Sequence, residues 1–262
     1  MMMSPHIETL EMGAAMNAEI SDLVADATSN PDRHGIVHLR GACWRSIQEQ
    51  GFVLISDSQL GLGPDFRSHV LTEYFDQLQP ETYGVFPIDR LRACDVLLRW
   101  WSPTKGLTLR EKASVRFRTA PNVAGNHPHG VWREYSRVWL VGNLLMKQWI
   151  DAVVSMVPPR PLLIGDRGSI RLDFFRTFDQ VVSGPHSDGQ AIVVIYVVAK
   201  HGSGAETRLH PVEAPDDIVF RQTLQPGDIL ILDDRRLLHD VSPLIPTKDG
   251  KAHRDVIVCG IQ

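Results

Sequence analysis

Residues 166 to 262 constrain the fold more than any other part of the chain. Short apolar runs, at 169–178, 190–199, 205–210, 217–222, 228–232, 238–242 and 254–261, follow one another there with turn sequences between them. The turns include Gly202-Ser203-Gly204, Gln225-Pro226-Gly227-Asp228 and Lys248-Asp249-Gly250. Runs this short, punctuated by Gly, Pro and Asp, read as strands of an all-β sandwich or barrel rather than as helices.

One of these strands carries a chemical signature. Pro185-His186-Ser187-Asp188-Gly189 stands at the mouth of the 190–199 run, and His239 follows at the 238–242 run. In extended chain, side chains two apart point to the same face, so His186 and Asp188 can aim together while Ser187 points away. Two imidazoles and one carboxylate on one face of an octahedron leave the opposite face open for a chelating cosubstrate and O2. His-x-Asp alone also fits a surface turn; order and context favour the metal, because the motif enters an apolar strand and a distal His stands at another. The rival pair is His127 and His129 in Gly125-Asn126-His127-Pro128-His129-Gly130, whose Pro and Gly make it a loop. That loop is read as a lid that contacts substrate.

On these residues the chain resembles the Fe(II)/2-oxoglutarate-dependent dioxygenase superfamily, with His-x-Asp at His186 and Asp188, the distal His239 in His-Asp-Val-Ser-Pro, and Arg254 in His-Arg-Asp-Val-Ile-Val. Gly204-Ala205-Glu206-Thr207-Arg208-Leu209 is similar to the bacterial branch that hydroxylates free aliphatic L-amino acids such as isoleucine and leucine. Pro185-His186-Ser187-Asp188 departs from the acidic-Gly-His-Arg-Asp approach expected there and leaves the ligands unchanged. The resemblance covers residues 166 to 262. It implies Fe(II) on His186, Asp188 and His239, with 2-oxoglutarate and O2 as cosubstrates and ascorbate as reductant in an assay. It places on Arg254 the far carboxylate of 2-oxoglutarate, which a planar guanidinium meets with two parallel hydrogen bonds. The implied substrate is a small free amino acid hydroxylated on its side chain. N-acylated amino acids or another small molecule, and a cupin-like metal-binding module without oxygenase activity, are the alternatives.

Further candidates come from counting along strands. In Ile170-Arg171-Leu172-Asp173-Phe174-Phe175-Arg176, period two puts Arg176 on the face of Ile170, Leu172 and Phe174. A lone cation on an apolar face is costly, so it pairs with a buried carboxylate or receives that of a ligand; the second reading is preferred. Counting from Asp188 sends Gln190, Ile192, Val194 and Tyr196 inward, making Gln190 and Tyr196 candidate cosubstrate contacts. Arg118 is a second candidate for a substrate carboxylate. Asp233-Asp234-Arg235-Arg236 reads as a solvated turn.

The first part of the chain is less regular. Residues 6–28 suit a helix, Trp44 to Gln50 a short one, Gly51 to Ile55 a buried strand, and Asp65 to Gln79 another helix. Asp95 to Trp100 suits a strand, and Tyr135 to Val157 a strongly apolar helix stopped by Pro158-Pro159. The fold class expected is α+β, mainly β: a double-stranded β-helix, the jelly-roll or cupin-like barrel, buttressed by N-terminal and central helices. Residues 1–262 are expected to form a single dioxygenase domain, with 1–165 as buttress and 166–262 as metal-binding core.

Composition narrows the function classes. A formal net charge of −4 gives no reason to expect nucleic acid. Three Cys at 43, 94 and 259, without C-x-x-C spacing, fit a reducing cytoplasm better than a disulfide framework or a zinc ribbon. No signal peptide and no apolar run of membrane-spanning length are read. The apolar helix near 138–153 could pack on the barrel or on a second subunit, so a homo-oligomer is possible.

Overall fold

The run Ile192-Val193-Val194-Ile195-Tyr196-Val197-Val198 has no polar side to turn to water, so a strand built from it must be covered on both faces. The computed structural model describes residues 33–80, 90–102, 106–111, 116–118, 132–134, 143–158, 167–178 and 184–262. In it, this run is the middle of a large antiparallel sheet, and all seven of these residues are buried.

The elements in chain order are α1 (Arg33–Gln50), β1 (Phe52–Ser56), α2 (Pro64–Glu73), β2 (Gln79–Pro80), β3 (Arg90–Ser102), β4 (Gly106–Glu111), β5 (Arg116–Arg118) and β6 (Trp132–Glu134). Then come α3 (Leu144–Ser155), β7 (Arg167–Thr177), β8 (Ile192–His201), β9 (Ser203–Gly204), β10 (Glu206–Pro211) and β11 (Phe220–Thr223). The chain ends with β12 (Asp228–Asp233), β13 (Leu237–Val241), β14 (Leu244–Ile245) and β15 (His253–Ile261). The large sheet runs β1-β12-β8-β15-β7-β3-β2, with β4 added to β3; a second sheet runs β11-β10-β13. This is the expected mainly β, jelly-roll architecture with a few helices.

Two apolar layers follow from strand alternation. Ile192, Val194, Tyr196, Ile229, Ile231, Ile257, Cys259, Ile170, Leu172 and Phe174 face Ile47 of α1, Phe66 and Val70 of α2, and Trp149 and Val153 of α3. The other parity, Val193, Ile195, Val197, Leu230, Leu232 and Val256, meets Leu209, Phe220 and Leu237 of the second sheet, and this layer is the barrel interior. Each such side chain contributes roughly 1.5–3 kcal/mol on burial, so the two layers together hold the sheet between the helices and the smaller sheet.

The helices are amphipathic supports. Met146, Trp149, Ile150 and Val153 recur at helical spacing on α3 and are fully buried, while Asn143 accepts a hydrogen bond from the Met146 amide at 3.0 Å and caps the helix start. Helix α1 begins at Arg33, well before the expected Trp44; Gly35 and Gly41 within it weaken the sequence signal. Helix α2 stops at Glu73 instead of reaching Gln79. Tyr74 and Phe75 both pack on Phe174, with ring centroids at 5.0 and 5.8 Å, and a continued helix would have turned one of these neighbours away. The helix expected over 6–28 lies outside the described residues, as does 135–142.

A bulge sets the far end of the barrel. Asp255 pairs with Ala199 and Val256 with Val197, so Val198 is an extra residue in β8. The alternation is reset there, which puts Lys200 opposite Arg254 on one face. Nearby, Gly204 takes φ +72°, and a Cβ on it would lie 2.3 Å from the Pro243 carbonyl oxygen. Any side chain at that turn meets backbone as well as an unfavourable φ.

Candidate metal centre

The three sequence-predicted ligands come together. His186 and His239 form an antiparallel bridge and exchange both backbone hydrogen bonds, His186 N to His239 O at 3.1 Å and His239 N to His186 O at 2.9 Å. Their rings lie 4.5 Å apart, centroid to centroid. Asp188 completes the group: His186 Nε2 is 3.9 Å from Asp188 Oδ1, and His239 Nε2 is 3.6 Å from Asp188 Oδ2. One ligand atom from each residue lies within 4.8 Å of the others. His186 Nδ1 stands 3.0 Å from the Gly184 carbonyl oxygen; in the tautomer that donates this hydrogen bond, Nε2 carries the lone pair that a metal needs. This donor set and its convergence fit a divalent first-row metal of the two-His, one-carboxylate type.

The electrostatics agree with ligation by neutral imidazole. Burial holds the His239 pKa down to about 4, against a smaller opposing pull from Asp188; His186 lowers it further and Asp240 raises it. His239 therefore presents a lone pair at neutral pH without having to lose a proton.

Arg254 lies deeper in the barrel. It is 7% exposed, and among the described residues no carboxylate pairs with it; its nearest polar contact is from Nη2 to Thr207 Oγ1 at 3.5 Å. Burial lowers its pKa to about 10, which leaves it charged at neutral pH. Lys200, a residue the sequence reading passed over, stands opposite it, donates to the Gly204 carbonyl at 2.8 Å, and has a pKa lowered by burial and then by Arg254. Among the described residues neither cation has an acidic partner, so this end of the barrel is positively charged. Period-two counting from Asp188 extends to Lys200 as well, because the offset at Gly189 and the bulge at Val198 cancel at that end of the strand.

Other expected contacts are placed differently. Arg176 does not point to a ligand: Nε and Nη2 donate to Asp255 Oδ1 and Oδ2, both at 2.8 Å, and Asp255 is fully buried. The face shared with Ile170, Leu172 and Phe174 is the helix side of the sheet, so a protein carboxylate satisfies the cation. Tyr196 is also outside the barrel. Its hydroxyl donates to Asp57 Oδ2 at 2.9 Å, its ring stacks on Trp149 at 5.8 Å, and burial raises its pKa. Counting from Asp188 fails because Gly189 has φ +73° and the chain is not extended until Ile192. Gln190 stays at the mouth: its Nε2 donates to the Asp188 carbonyl at 3.3 Å, and its side chain lies over Gly260, where a Cβ would meet Cγ at 2.7 Å. Arg118 lies in β5, paired with β6, and its side chain is outside the described residues, as are His127 and His129.

The Asp233-Asp234 pair is not a solvated turn. Asp233 is 1% and Asp234 2% exposed. Asp234 accepts from Ser187 Oγ at 2.9 Å, Asp188 N at 3.2 Å and Gln190 N at 2.8 Å. Four charged letters in a row hide in sequence which of them turns inward.

Fold and site together define a jelly-roll protein with a two-His, one-carboxylate centre and a positively charged end, at Arg254 and Lys200, in the same barrel. Residues 179–260 match the family described as 2OG-Fe dioxygenase. The cofactors of that family are Fe(II), 2-oxoglutarate and O2. Among solved structures, a bsmA homolog from Methylobium petroleophilum PM1 is similar with a TM-score of 0.73 at 22% identity, over 85% of this chain and 92% of that one. IDO from Bacillus thuringiensis gives 0.62 at 15%, over 83% and 95%. The Fe(II)/(alpha)ketoglutarate-dependent dioxygenase TqaL gives 0.60 at 18%, over 93% and 89%. At these identities the likeness is one of fold. No curated protein matches the sequence.

Proposed function

We propose that the protein hydroxylates an unactivated side-chain carbon of a small L-amino acid, using Fe(II), 2-oxoglutarate and O2 and releasing succinate and CO2. The observation that carries the oxygenase part is the pairing, in one barrel, of the His186, Asp188 and His239 cluster with a buried Arg254 that has no carboxylate among the described residues. A metal-storage module has no use for that cation, whose burial is unfavourable until an anion reaches it.

His186, Asp188 and His239 would hold the metal, a donor set of three that leaves room for further ligands. Arg254 receives the distal carboxylate of 2-oxoglutarate, with Thr207 and Lys200 beside it, and so fixes which end of the cosubstrate turns to the metal. Gln190 borders the mouth where substrate enters. When bound, iron would supply the O2 chemistry that couples conversion of 2-oxoglutarate to succinate and CO2 with hydroxylation of the substrate, one oxygen atom going to each organic product. The apolar walls from Val193, Ile195 and Leu209 exclude water, which protects that chemistry from side reactions. Arg118 is proposed to meet the substrate carboxylate, and His127 and His129, in a loop marked by Pro and Gly, to cover the substrate. No helix among the described residues is long and apolar enough to cross a membrane.

The test is succinate formation under air with Fe(II), 2-oxoglutarate and ascorbate against free and N-acylated L-amino acids. One free amino acid should stimulate turnover well above the uncoupled rate. Stimulation by N-acylated substrates alone would move the assignment to that class.

A further inference from the structure

Asp234 is a buried carboxylate without a basic partner: among the described residues no Lys or Arg pairs with it, whereas the adjacent Asp233 is paired with Arg235. Its oxygens divide between the two ligand segments. Oδ2 accepts from Ser187 Oγ and Gln190 N, and Oδ1 accepts from Asp188 N, so one side chain closes the turn from His186 to Gln190. Oδ1 also lies 3.8 Å from His239 Nδ1, a buried ring nitrogen with no hydrogen-bond partner.

We propose that Asp234 is the positioning residue of the metal centre, a single carboxylate that holds the His186-Ser187-Asp188 turn and selects the His239 tautomer that offers Nε2 as ligand. This rests on the metal reading above. The chemistry is that of carboxylate-histidine-metal support, in which a ligand imidazole gives its other ring N–H to an acceptor and is thereby fixed in orientation and tautomer. Charge points the same way. A divalent cation on two neutral imidazoles and one carboxylate carries one net positive charge, and Asp234 supplies the matching negative charge from outside the ligand set. That accounts for a buried carboxylate that has neighbouring arginines but pairs with neither.

Replacing Asp234 by Asn inverts one half of the arrangement. An amide has one acceptor oxygen, so its NH2 faces either the two donors at Ser187 and Gln190 or the Asp188 N–H and His239 Nδ1. In the second case it donates to Nδ1 and forces the proton onto Nε2, the wrong tautomer for ligation.

Two measurements test this. In metal-free wild type with 15N-labelled histidine, ring-nitrogen NMR at neutral pH should show His239 protonated at Nδ1; an Nε2–H tautomer would overturn the proposal without any variant being made. With Co(II) as probe, calorimetry and visible absorption should show Asp234→Asn binding about 10–100-fold more weakly, with an altered spectrum. Ser187→Ala, which removes the hydrogen bond to Asp234 and the exposed one from the Gly189 amide but leaves the His239 side alone, should lose no more than about fivefold. Asp234→Asn binding Co(II) as tightly as wild type, with the same spectrum, overturns the proposal. Wild type binding no Co(II) overturns the metal reading itself and this role with it, so the two failures are told apart by which protein lacks the metal.

Discussion

His186 and His239 are a hydrogen-bonded strand pair, each donating its amide to the other's carbonyl, at 3.1 and 2.9 Å. Two metal ligands separated widely in sequence are thus set side by side by the backbone, whatever their side chains do. His186→Ala should therefore abolish Co(II) or Fe(II) binding while changing the stability of the metal-free protein by less than about 1 kcal/mol, since the side chain is partly exposed. Calorimetric metal titration and urea unfolding of the same samples check both halves.

Arg254 is stable only at some expense to the fold. Replacing this buried cation, which no carboxylate among the described residues pairs, by Met should stabilise the cosubstrate-free protein by on the order of 1–3 kcal/mol and remove the rise in melting temperature that 2-oxoglutarate gives the metal-loaded wild type. A destabilised Arg254→Met that still responds to 2-oxoglutarate would remove Arg254 from the site.

The Arg176 to Asp255 pair makes the opposite forecast. Arg176→Ala leaves a fully buried carboxylate without its partner and should cost about 2–3 kcal/mol, the lower side of the usual range because Arg176 is 20% exposed. Urea unfolding reads the loss. The apparent KM for any substrate should stay within about twofold, because a change of well under 1 kcal/mol is all that a residue outside the barrel should cause.

Acid should weaken the metal-free protein through His239. Its folded pKa is near 4 and its ordinary value is 6.5, so as pH falls the unfolded chain takes up the proton first. The His239 contribution is thus intact above about pH 6.5 and is lost progressively as pH falls towards 4. Unfolding free energies of wild type and His239→Gln, measured across that window, should converge or cross as pH falls. A constant difference would contradict the burial that lowers this pKa.

Much of this was legible in the sequence, and the failures share a cause. Pattern fixed the short strands and the metal ligands, since alternation, turn residues and the order His, Asp, His, Arg are properties of the letters themselves. Parity failed wherever the chain was not regularly extended. Gly189 turned Tyr196 from the barrel to the helix layer, and the bulge at Val198 turned Lys200 back to the barrel beside Arg254. Partner identity failed too: Asp255 satisfies Arg176 from the neighbouring strand, and Asp234 is buried where four charged residues in a row suggested water. Such pairings depend on register between distant segments, which one sequence does not display.

The most direct measurement of the central claim is anaerobic titration of Fe(II)-loaded protein with 2-oxoglutarate, followed by visible absorption. Wild type should develop a charge-transfer band that saturates at one equivalent; His186→Ala should show none, and Arg254→Met should need far more 2-oxoglutarate to approach it. No band in wild type, or the same band in His186→Ala, would contradict chelation of the cosubstrate at this centre.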